Sequence, residues 1–261
     1  MSDSTCDLSP ERAQERQVEI IDFRYVEATE GVRAWHEEQL MSLEPTEFYD
    51  VLRAGTRLHT SQPSQLAYEE AFERTLAAGM PAVLLCISSG LSGAYESALA
   101  ALGRVRERHP DDPTPIYVVD SLCASTPLQL LVEGACDRRD EGWDAEQVYQ
   151  WSLEARPCLR TLFMVESMEY LYLGGRMPKA AASIGGVLDA RPLLSFDPEG
   201  RLRLAGVSRG RKKALARLAR NFARHCAWTN GRLVVAIGDA DAPEAAHLLK
   251  SMVERECPDA Y

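Results

Sequence analysis

The feature of this sequence that most constrains its fold is a continuous apolar run over Ala82–Ile87, which ends at a stretch rich in serine and glycine. An apolar run of this length is typical of a strand that is covered on both faces, as in a parallel sheet. A helix is predicted over about 94–108, the next strand over 116–119 and another helix over about 127–138. This alternation predicts an α/β fold in which a mainly parallel sheet is flanked by helices.

The pattern of the sequence changes after Arg156 and Pro157. Before this point we also predict a strand over 18–26 and helices over 42–53, 66–78 and 144–155. After it we predict strands over 161–165 and 233–237, a hairpin of 191–196 and 201–207, and helices over 167–173, 179–188 and 209–227. A last helix is predicted to begin with a capping box at 241–244. We therefore predict an N-terminal α/β domain, residues 1–157, and a smaller C-terminal α/β domain with a mixed sheet, residues 158–261.

The charge balance of the chain bears on its partners. Among 261 residues, 39 are acidic and 29 are basic, for a formal net charge of −10. This balance disfavours broad electrostatic binding to nucleic acid or to an anionic membrane. No apolar run is long enough to span a membrane, the N-terminus lacks the apolar core of a secretory signal, and the seven cysteines form no CxxC pair. We expect a cytoplasmic protein with reduced cysteines, without a nucleic-acid partner or stable membrane insertion.

The stretch after the apolar run, Ser88-Ser-Gly-Leu-Ser-Gly93, is the sharpest local signal. It joins the carboxyl end of a predicted strand to the start of a helix, which is where ligands bind in open α/β sheets. Backbone amides, the helix dipole and the hydroxyls of Ser88, Ser89 and Ser92 suit a phosphate or a carboxylate. The alternative is a turn whose serines only cap the helix.

Several other kinds of site are disfavoured by the sequence. It contains no Walker loop and no GxGxxG fingerprint, and Gly90–Gly93 does not have the GxSxG pattern of a nucleophile elbow. The five histidines show no metal-ligand spacing. We therefore expect neither a metal site nor a resident cofactor.

Three further segments carry polar or basic residues in a pattern. Thr60-Ser61-Gln-Pro-Ser64 is a second hydroxyl-rich turn, which could equally be a loop with a helix cap at Ser64. Arg176 follows two glycines, and the alternative for it is an arginine near the C-terminus of a helix. Four basic residues are spaced by four, three and four along one predicted helix, and we call the surface they form the basic face. Such a spacing usually marks a helix surface that is exposed to solvent. These residues are Lys213, Arg217, Arg220 and Arg224.

Taken together and in chain order, these segments resemble the DegV family of fatty-acid-binding proteins. The resemblance covers nearly the whole chain. It rests on Asp3-Ser-Thr5, Thr60-Ser-Gln-Pro-Ser64, Ser88-Ser-Gly-Leu-Ser-Gly93, Val119-Asp-Ser121, Glu169-Tyr-Leu171 with Gly174-Gly-Arg176, and Arg209-Gly-Arg-Lys-Lys-Ala214. It implies a DegV-like two-domain α/β fold with a lipid tunnel between the domains.

The resemblance also implies roles for individual residues. Thr60 and Ser92 match the family positions that hydrogen-bond the fatty-acid carboxylate, and Ser88, Ser89 and Ser61 lie beside them in the same motifs. Some members are the acyl-binding subunit of a bacterial fatty acid kinase, and a separate ATP-binding subunit phosphorylates the acid. Arg176 matches a position associated with that partner reaction. The resemblance thus implies a lipid-binding protein rather than an enzyme, with a long-chain fatty acid as ligand.

The chain departs from the family pattern at both ends. Only Met1 and Ser2 precede the first motif, where the family has an apolar strand, and the chain stops at Tyr261, before the family's His-Thr-Gly-Pro-Gly segment. By this comparison the C-terminal domain would be truncated.

Two other functions compete with fatty-acid binding. The first is a stand-alone enzyme acting on a phosphorylated or carboxylated metabolite, with residues 88–93 as an anion hole and Arg176 as an electrostatic stabiliser. The second is a regulatory module that docks through the basic face.

Overall fold

The computed structural model describes residues 1–27, 38–39, 44–178, 189–226 and 234–258. The chain divides into two compact units, Met1–Arg160 and Thr161–Tyr261. The strands of the first unit are β1 (Ser2–Asp3), β2 (Ile20–Ile21), β3 (Arg24–Glu27), β4 (Glu38–Gln39), β5 (Leu58–Ser61), β6 (Ala82–Cys86) and β7 (Ile116–Asp120). Its helices are α1 (Pro10–Glu15), α2 (Pro45–Arg53), α3 (Gln65–Ala78), α4 (Ala94–Arg108), α5 (Thr126–Asp140) and α6 (Ala145–Ala155).

A four-stranded parallel sheet in the order β2-β1-β6-β7 forms the centre of the first unit. The predicted α/β fold with a parallel sheet is therefore confirmed. The apolar run forms β6, whose inner residues Leu84 and Leu85 are buried beneath helices, as its composition predicted. Short β1 pairs with both β2 and β6, so two residues near the start of the chain lie in the middle of the sheet.

The core of the first unit lies between this sheet and the facing helices. Tyr68 and Phe72 of α3 have no exposed surface and pack with Leu84 and Val105. Such large side chains spaced four residues apart lie on one helical face, which explains why α3 docks on the sheet by that face. Ser64 caps α3 through the backbone amide of Ala67, at 3.1 Å.

The strand predicted over 18–26 is in fact two strands in different sheets. Residues 20–21 join the parallel sheet as β2, whereas β3 belongs to an antiparallel sheet in the order β4-β3-β5. The change occurs around Phe23, whose amide donates to the hydroxyl of Ser4 at 2.9 Å instead of to a neighbouring strand. A β-rich sequence cannot show such a change of partner, because both strands have the same composition.

The second unit contains β8 (Phe163–Met164), α7 (Glu169–Leu173), β9 (Ala190–Phe196), β10 (Leu202–Arg209), α8 (Arg211–Cys226) and α9 (Pro243–Glu256). Its described strands form an antiparallel sheet in the order β10-β9-β8. The predicted hairpin is present, and Asp197 closes it by accepting from the amides of Glu199 and Arg201. Leu193 and Leu215 are buried between the sheet and α8.

Three predictions for the second unit have a different outcome. Residues 234–237 were predicted to form a strand but have no regular secondary structure, so the described strands do not make a mixed sheet. The capping box at 241–244 is wrong: Asp241 has φ +53°, and the N-cap of the last helix is Ala242, which makes no side-chain cap hydrogen bond. The helix predicted over 179–188 lies outside the described residues. Within the described part of the chain, no helix is long and apolar enough to cross a membrane.

Candidate functional site

The serine- and glycine-rich loop, residues 88–93, lies at the carboxyl edge of the parallel sheet, between the end of β6 and the start of α4. The two strands that flank β6 each end there in a carboxylate residue, since β1 ends at Asp3 and β7 ends at Asp120. This edge is where open α/β sheets bind ligands. The sheet order thus brings two acidic residues, distant in sequence, to the same loop.

Asp3 holds the chain where β6 leads into the loop. Its carboxylate accepts from the backbone amide of Ile87 at 2.7 Å, and from the amide and hydroxyl of Thr5 at 3.1 and 2.5 Å. The side chain is fully buried. Burial raises the pKa of Asp3 to about 6, and the hydrogen bonds only partly oppose that rise. Asp3 therefore fixes the start of the loop at a cost in desolvation.

Asp120 holds the next residues of the loop from the other side. Its Oδ1 accepts from the backbone amides of Ser89 and Leu122, both at 3.1 Å, and its Oδ2 accepts from the hydroxyl of Ser89 at 2.5 Å. The single proton of the Ser89 hydroxyl is therefore used inside the protein. This geometry makes Ser89 part of the loop's support.

The two other loop serines have different surroundings. Ser88 is fully buried, and its hydroxyl accepts from the amide of Gly90 at 3.1 Å. Ser92 is half-buried, and its hydroxyl accepts from the amide of Ala94, the first residue of α4, at 3.3 Å. The N-cap of α4 is Gly93, which makes no side-chain cap hydrogen bond. The Ser92 hydroxyl acts as an acceptor in its bond to Ala94, so its own proton is not used in that bond and can be donated to an anion.

The second hydroxyl-rich turn lies beside this loop. A methyl group placed on Gly93 would be 2.8 Å from Oε1 of Gln62, so the turn and the loop approach closely at these two residues. Thr60 and Ser61 end the exposed strand β5, and both side chains are exposed. Ser64 of the same turn is the cap of α3, as its alternative interpretation predicted. The first unit therefore brings the turn and the loop, which carry the predicted hydroxyls, close together at Gln62 and Gly93.

Arg176 belongs to the second unit and follows α7. Gly175 adopts the left-handed conformation, with φ +75°, and the amide of Arg176 donates to the carbonyl of Leu171 at 2.9 Å. The exposed guanidinium donates to the carbonyl oxygen of Gly174. The arginine thus lies at a helix C-terminus, the alternative that its sequence context allowed, and it complements the helix dipole there.

The basic face lies on the outer side of α8. Its four residues are exposed, while Ala214 and Leu215 on the opposite side are buried. Arg217 donates to the carbonyl of Val207 at 2.9 Å, which ties this side chain to β10. Helix α8 itself contains no acidic residue. The face is therefore a solvated surface, the usual meaning of such spacing.

Two observations concern other kinds of site. Among the described residues, no group of three or more histidines, cysteines or acids is placed to hold a metal ion. A surface cavity of about 410 Å³ lies along α6 and is lined by Trp143, Gln147 and Trp151 among others. The guanidinium of Arg138 lies over both tryptophan rings, at 5.5 and 5.3 Å from their centroids. This cavity includes no residue of the loop or of the hydroxyl-rich turn.

Sequence reasoning did not single out Asp3, Asp120 or Gln62 as functional residues, although each belongs to a segment that it quoted. The signal that could have identified the two aspartates is their position, because each stands at the end of a strand that lies next to the loop. Because parallel strands end at one edge, such residues meet there. Their partners, however, are 84 and 31 residues away in the chain, so only the folded sheet identifies them.

Comparison with known proteins gives a consistent result. The family model described as "Uncharacterised protein, DegV family" matches residues 1–260. A DegV domain-containing protein of Lactococcus lactis subsp. lactis is 33% identical over 241 residues, covering 92% of this chain and 82% of the relative.

Two solved structures share the fold. A stearic acid-binding protein from Eubacterium ventriosum superposes with a TM-score of 0.82 at 26% identity, covering 99% of this chain and 87% of that one. The fatty acid kinase B3 protein of Streptococcus pneumoniae, loaded with linoleic acid, superposes with a TM-score of 0.80 at 25% identity, covering 99% and 88%. With the loop, the turn and their order along the chain, these matches show that the protein belongs to the DegV family.

Proposed function

We propose that this protein binds a long-chain fatty acid, whose carboxylate accepts hydrogen bonds from the hydroxyls of Ser92 and Thr60. The observation that carries the proposal is the close approach of Gln62 to Gly93, which puts the two hydroxyl-bearing segments side by side at a helix N-terminus. Hydroxyl donors and the positive end of a helix dipole favour a negatively charged group. The solved relatives that bind stearic acid and linoleic acid support the choice of ligand.

The energetics require both an apolar site and a clamp for the head group. Burying a chain of ~14 methylenes gains on the order of 11 kcal/mol at ~0.8 kcal/mol each. Association and ordering cost ~4–15 kcal/mol, so the apolar gain alone does not ensure useful affinity. Each hydrogen bond to the charged carboxylate adds ~1–3 kcal/mol. We therefore expect the hydroxyl clamp to decide whether the acid is retained.

The proposal is tested by the affinity of purified protein for stearate, after native mass spectrometry has shown which acid, if any, co-purifies. Ser92→Ala and Thr60→Ala should each weaken stearate binding by about 5- to 150-fold, the equivalent of ~1–3 kcal/mol. The matched control is Ser64→Ala, which removes a hydroxyl from the same turn but one that caps α3. It should lower stability and leave the affinity unchanged. Equal affinity of wild type and both clamp variants would refute the proposed site.

We further propose that the bound acid is presented to a separate ATP-binding subunit, which phosphorylates its carboxylate, and that Arg176 serves that step. A guanidinium is permanently charged and offers a planar fork to carboxylate or phosphate. The fatty acid kinase B3 protein of Streptococcus pneumoniae, a structural relative, supports this role. In this role the protein acts in the cytoplasm and is not an enzyme by itself.

The role of Arg176 is tested by ATP-dependent acyl-phosphate formation with and without a kinase subunit. Arg176→Ala should bind stearate like wild type but lower acyl-phosphate formation by ~10- to 1000-fold in the presence of the partner. Wild-type turnover without any partner would favour the stand-alone enzyme instead. Full activity of the variant with its partner would refute the role of Arg176.

A further inference from the structure

Two carboxylates accept hydrogen bonds from the backbone amides on either side of Ser88. Asp3 accepts from the amide of Ile87 at 2.7 Å, and Asp120 accepts from the amide of Ser89 at 3.1 Å. These bonds join the loop to the ends of β1 and β7, the two strands that flank β6. A loop held at the amides of Ile87 and Ser89 is pre-organised, so a ligand that binds it does not have to order it first.

The hydrogen bonds also determine which loop hydroxyl can serve an anion. A serine hydroxyl has one proton, which it can donate to a carboxylate oxygen. The proton between Ser89 Oγ and Asp120 Oδ2, 2.5 Å apart, is therefore supplied by Ser89. Ser92 differs, because its hydroxyl accepts from the amide of Ala94 and can donate its own proton elsewhere. Two serines of one motif are thus assigned opposite roles by their partners.

We propose that Asp120 is a positioning residue of the fatty-acid site: it accepts the hydrogen bond of the Ser89 hydroxyl and holds the loop, so that Ser92, and not Ser89, donates to the ligand's carboxylate. This inference rests on the proposed function and deepens it. Ser89 acts through Asp120 and does not touch the ligand. The two residues form one unit, whereas Ser92 contributes independently.

A double-mutant cycle on stearate affinity tests this division of roles. Ser89→Ala should weaken binding by about 3- to 10-fold in the wild-type background and have no further effect in the Asp120→Ala background. Ser92→Ala should weaken binding by the same factor in both backgrounds. If Ser89→Ala retains its full effect when Asp120 is absent, Ser89 contacts the ligand and the proposal is wrong. If neither Ser89→Ala nor Asp120→Ala changes the affinity, Asp120 positions nothing.

Two further variants separate positioning from general damage to the fold. Asp120→Asn keeps the oxygen that accepts from the amides of Ser89 and Leu122, so it should retain most of the affinity that Asp120→Ala loses. Asp112→Ala is the matched control: its carboxylate also accepts from a backbone amide, that of Thr114, but at the opposite end of β7. It should bind stearate like wild type. A loss in Asp112→Ala equal to that in Asp120→Ala would reduce Asp120 to a structural residue.

Amide hydrogen exchange on the ligand-free protein keeps this inference distinguishable from the proposed function. Asp120→Ala and Ser89→Ala should both speed exchange in a peptide covering residues 88–93, and Asp112→Ala should not. If wild type binds no stearate, the proposed function fails, while exchange still decides whether Asp120 holds the loop. Unchanged exchange in Asp120→Ala would overturn the inference whatever the ligand proves to be.

Discussion

The buried carboxylate of Asp3 should make the stability of the first unit depend on pH in a defined window. Burial raises the pKa of Asp3 from 3.8 to about 6. Between these values the folded protein holds a proton that the unfolded chain has lost, so stability falls as pH rises. A difference of about 2 pH units corresponds to roughly 3 kcal/mol. This contribution is fully present below about pH 4 and is lost by about pH 6 to 7.

The variant that isolates this effect is Asp3→Asn, which cannot titrate. Its amide oxygen can still accept from Thr5, but its NH₂ group would face the amide of Ile87, which now donates to Asp3 Oδ2. A buried donor left without a partner costs about 1–3 kcal/mol. We therefore expect the variant to be less stable than wild type near pH 4. The gap should close by roughly 3 kcal/mol between pH 4 and pH 7.

The measurement is urea unfolding at pH 4, 5, 6 and 7, followed by tryptophan fluorescence, since Trp143 and Trp151 both report on the first unit. Burial raises the pKa of Asp7 as well, so Asp7 also contributes to the pH dependence of stability. Its burial is common to both proteins, so most of its contribution cancels in the difference between them. A difference between wild type and Asp3→Asn that stays constant from pH 4 to pH 7 would refute the reasoning.

Three further predictions concern stability alone, each measured as the free energy of unfolding. Gly134→Ala in α5 should destabilise the protein by about 1–3 kcal/mol, because the new methyl group would lie 2.5 Å from the ring of Trp151. Gly103→Ala in α4 is its control: with nothing within 4 Å it should stabilise by about 0.5–1 kcal/mol, and destabilisation there would contradict the argument. Asp144→Ala removes a complete capping box from α6 and should cost about 0.5–2 kcal/mol. Leu193→Ala should cost about 2–5 kcal/mol, since this core residue of the second unit is 1% exposed, and a cost below 1 kcal/mol would show that the site collapses.

Local patterns in the sequence predicted the part of the fold that depends on neighbouring residues. The apolar run over 82–87 and the alternation of strands and helices after it predicted the parallel sheet, β6, α4 and the loop between them. Hydrophobic periodicity and capping residues act over a few residues, so they can be read without the fold. The helix predicted over 144–155 is also present, and it begins with a capping box between Asp144 and Gln147, which lie three residues apart in the chain.

Where local signals were short or ambiguous, the sequence was insufficient. β1 has only two residues and therefore no periodicity, yet it lies in the middle of the sheet. The β-rich stretch over 18–26 did not show that its two halves join different sheets. The expected cap at Asp241 is absent because Asp241 has φ +53° and the N-cap position of the helix falls on Ala242. In each case several partners were locally possible, and packing selected one.

The hydrogen-bond partners of the loop serines depend on the tertiary structure. Ser88, Ser89 and Ser92 are alike in sequence, and each could have donated to an anion. The carboxylate of Asp120, which lies 31 residues after Ser89, accepts from the Ser89 hydroxyl, whereas the Ser92 hydroxyl accepts from the amide of Ala94. The direction of a hydrogen bond depends on which acceptor is near, and that acceptor arrives from another strand. A sequence can therefore identify the hydroxyls of a candidate site, but only the fold shows which acceptor or donor each hydroxyl meets.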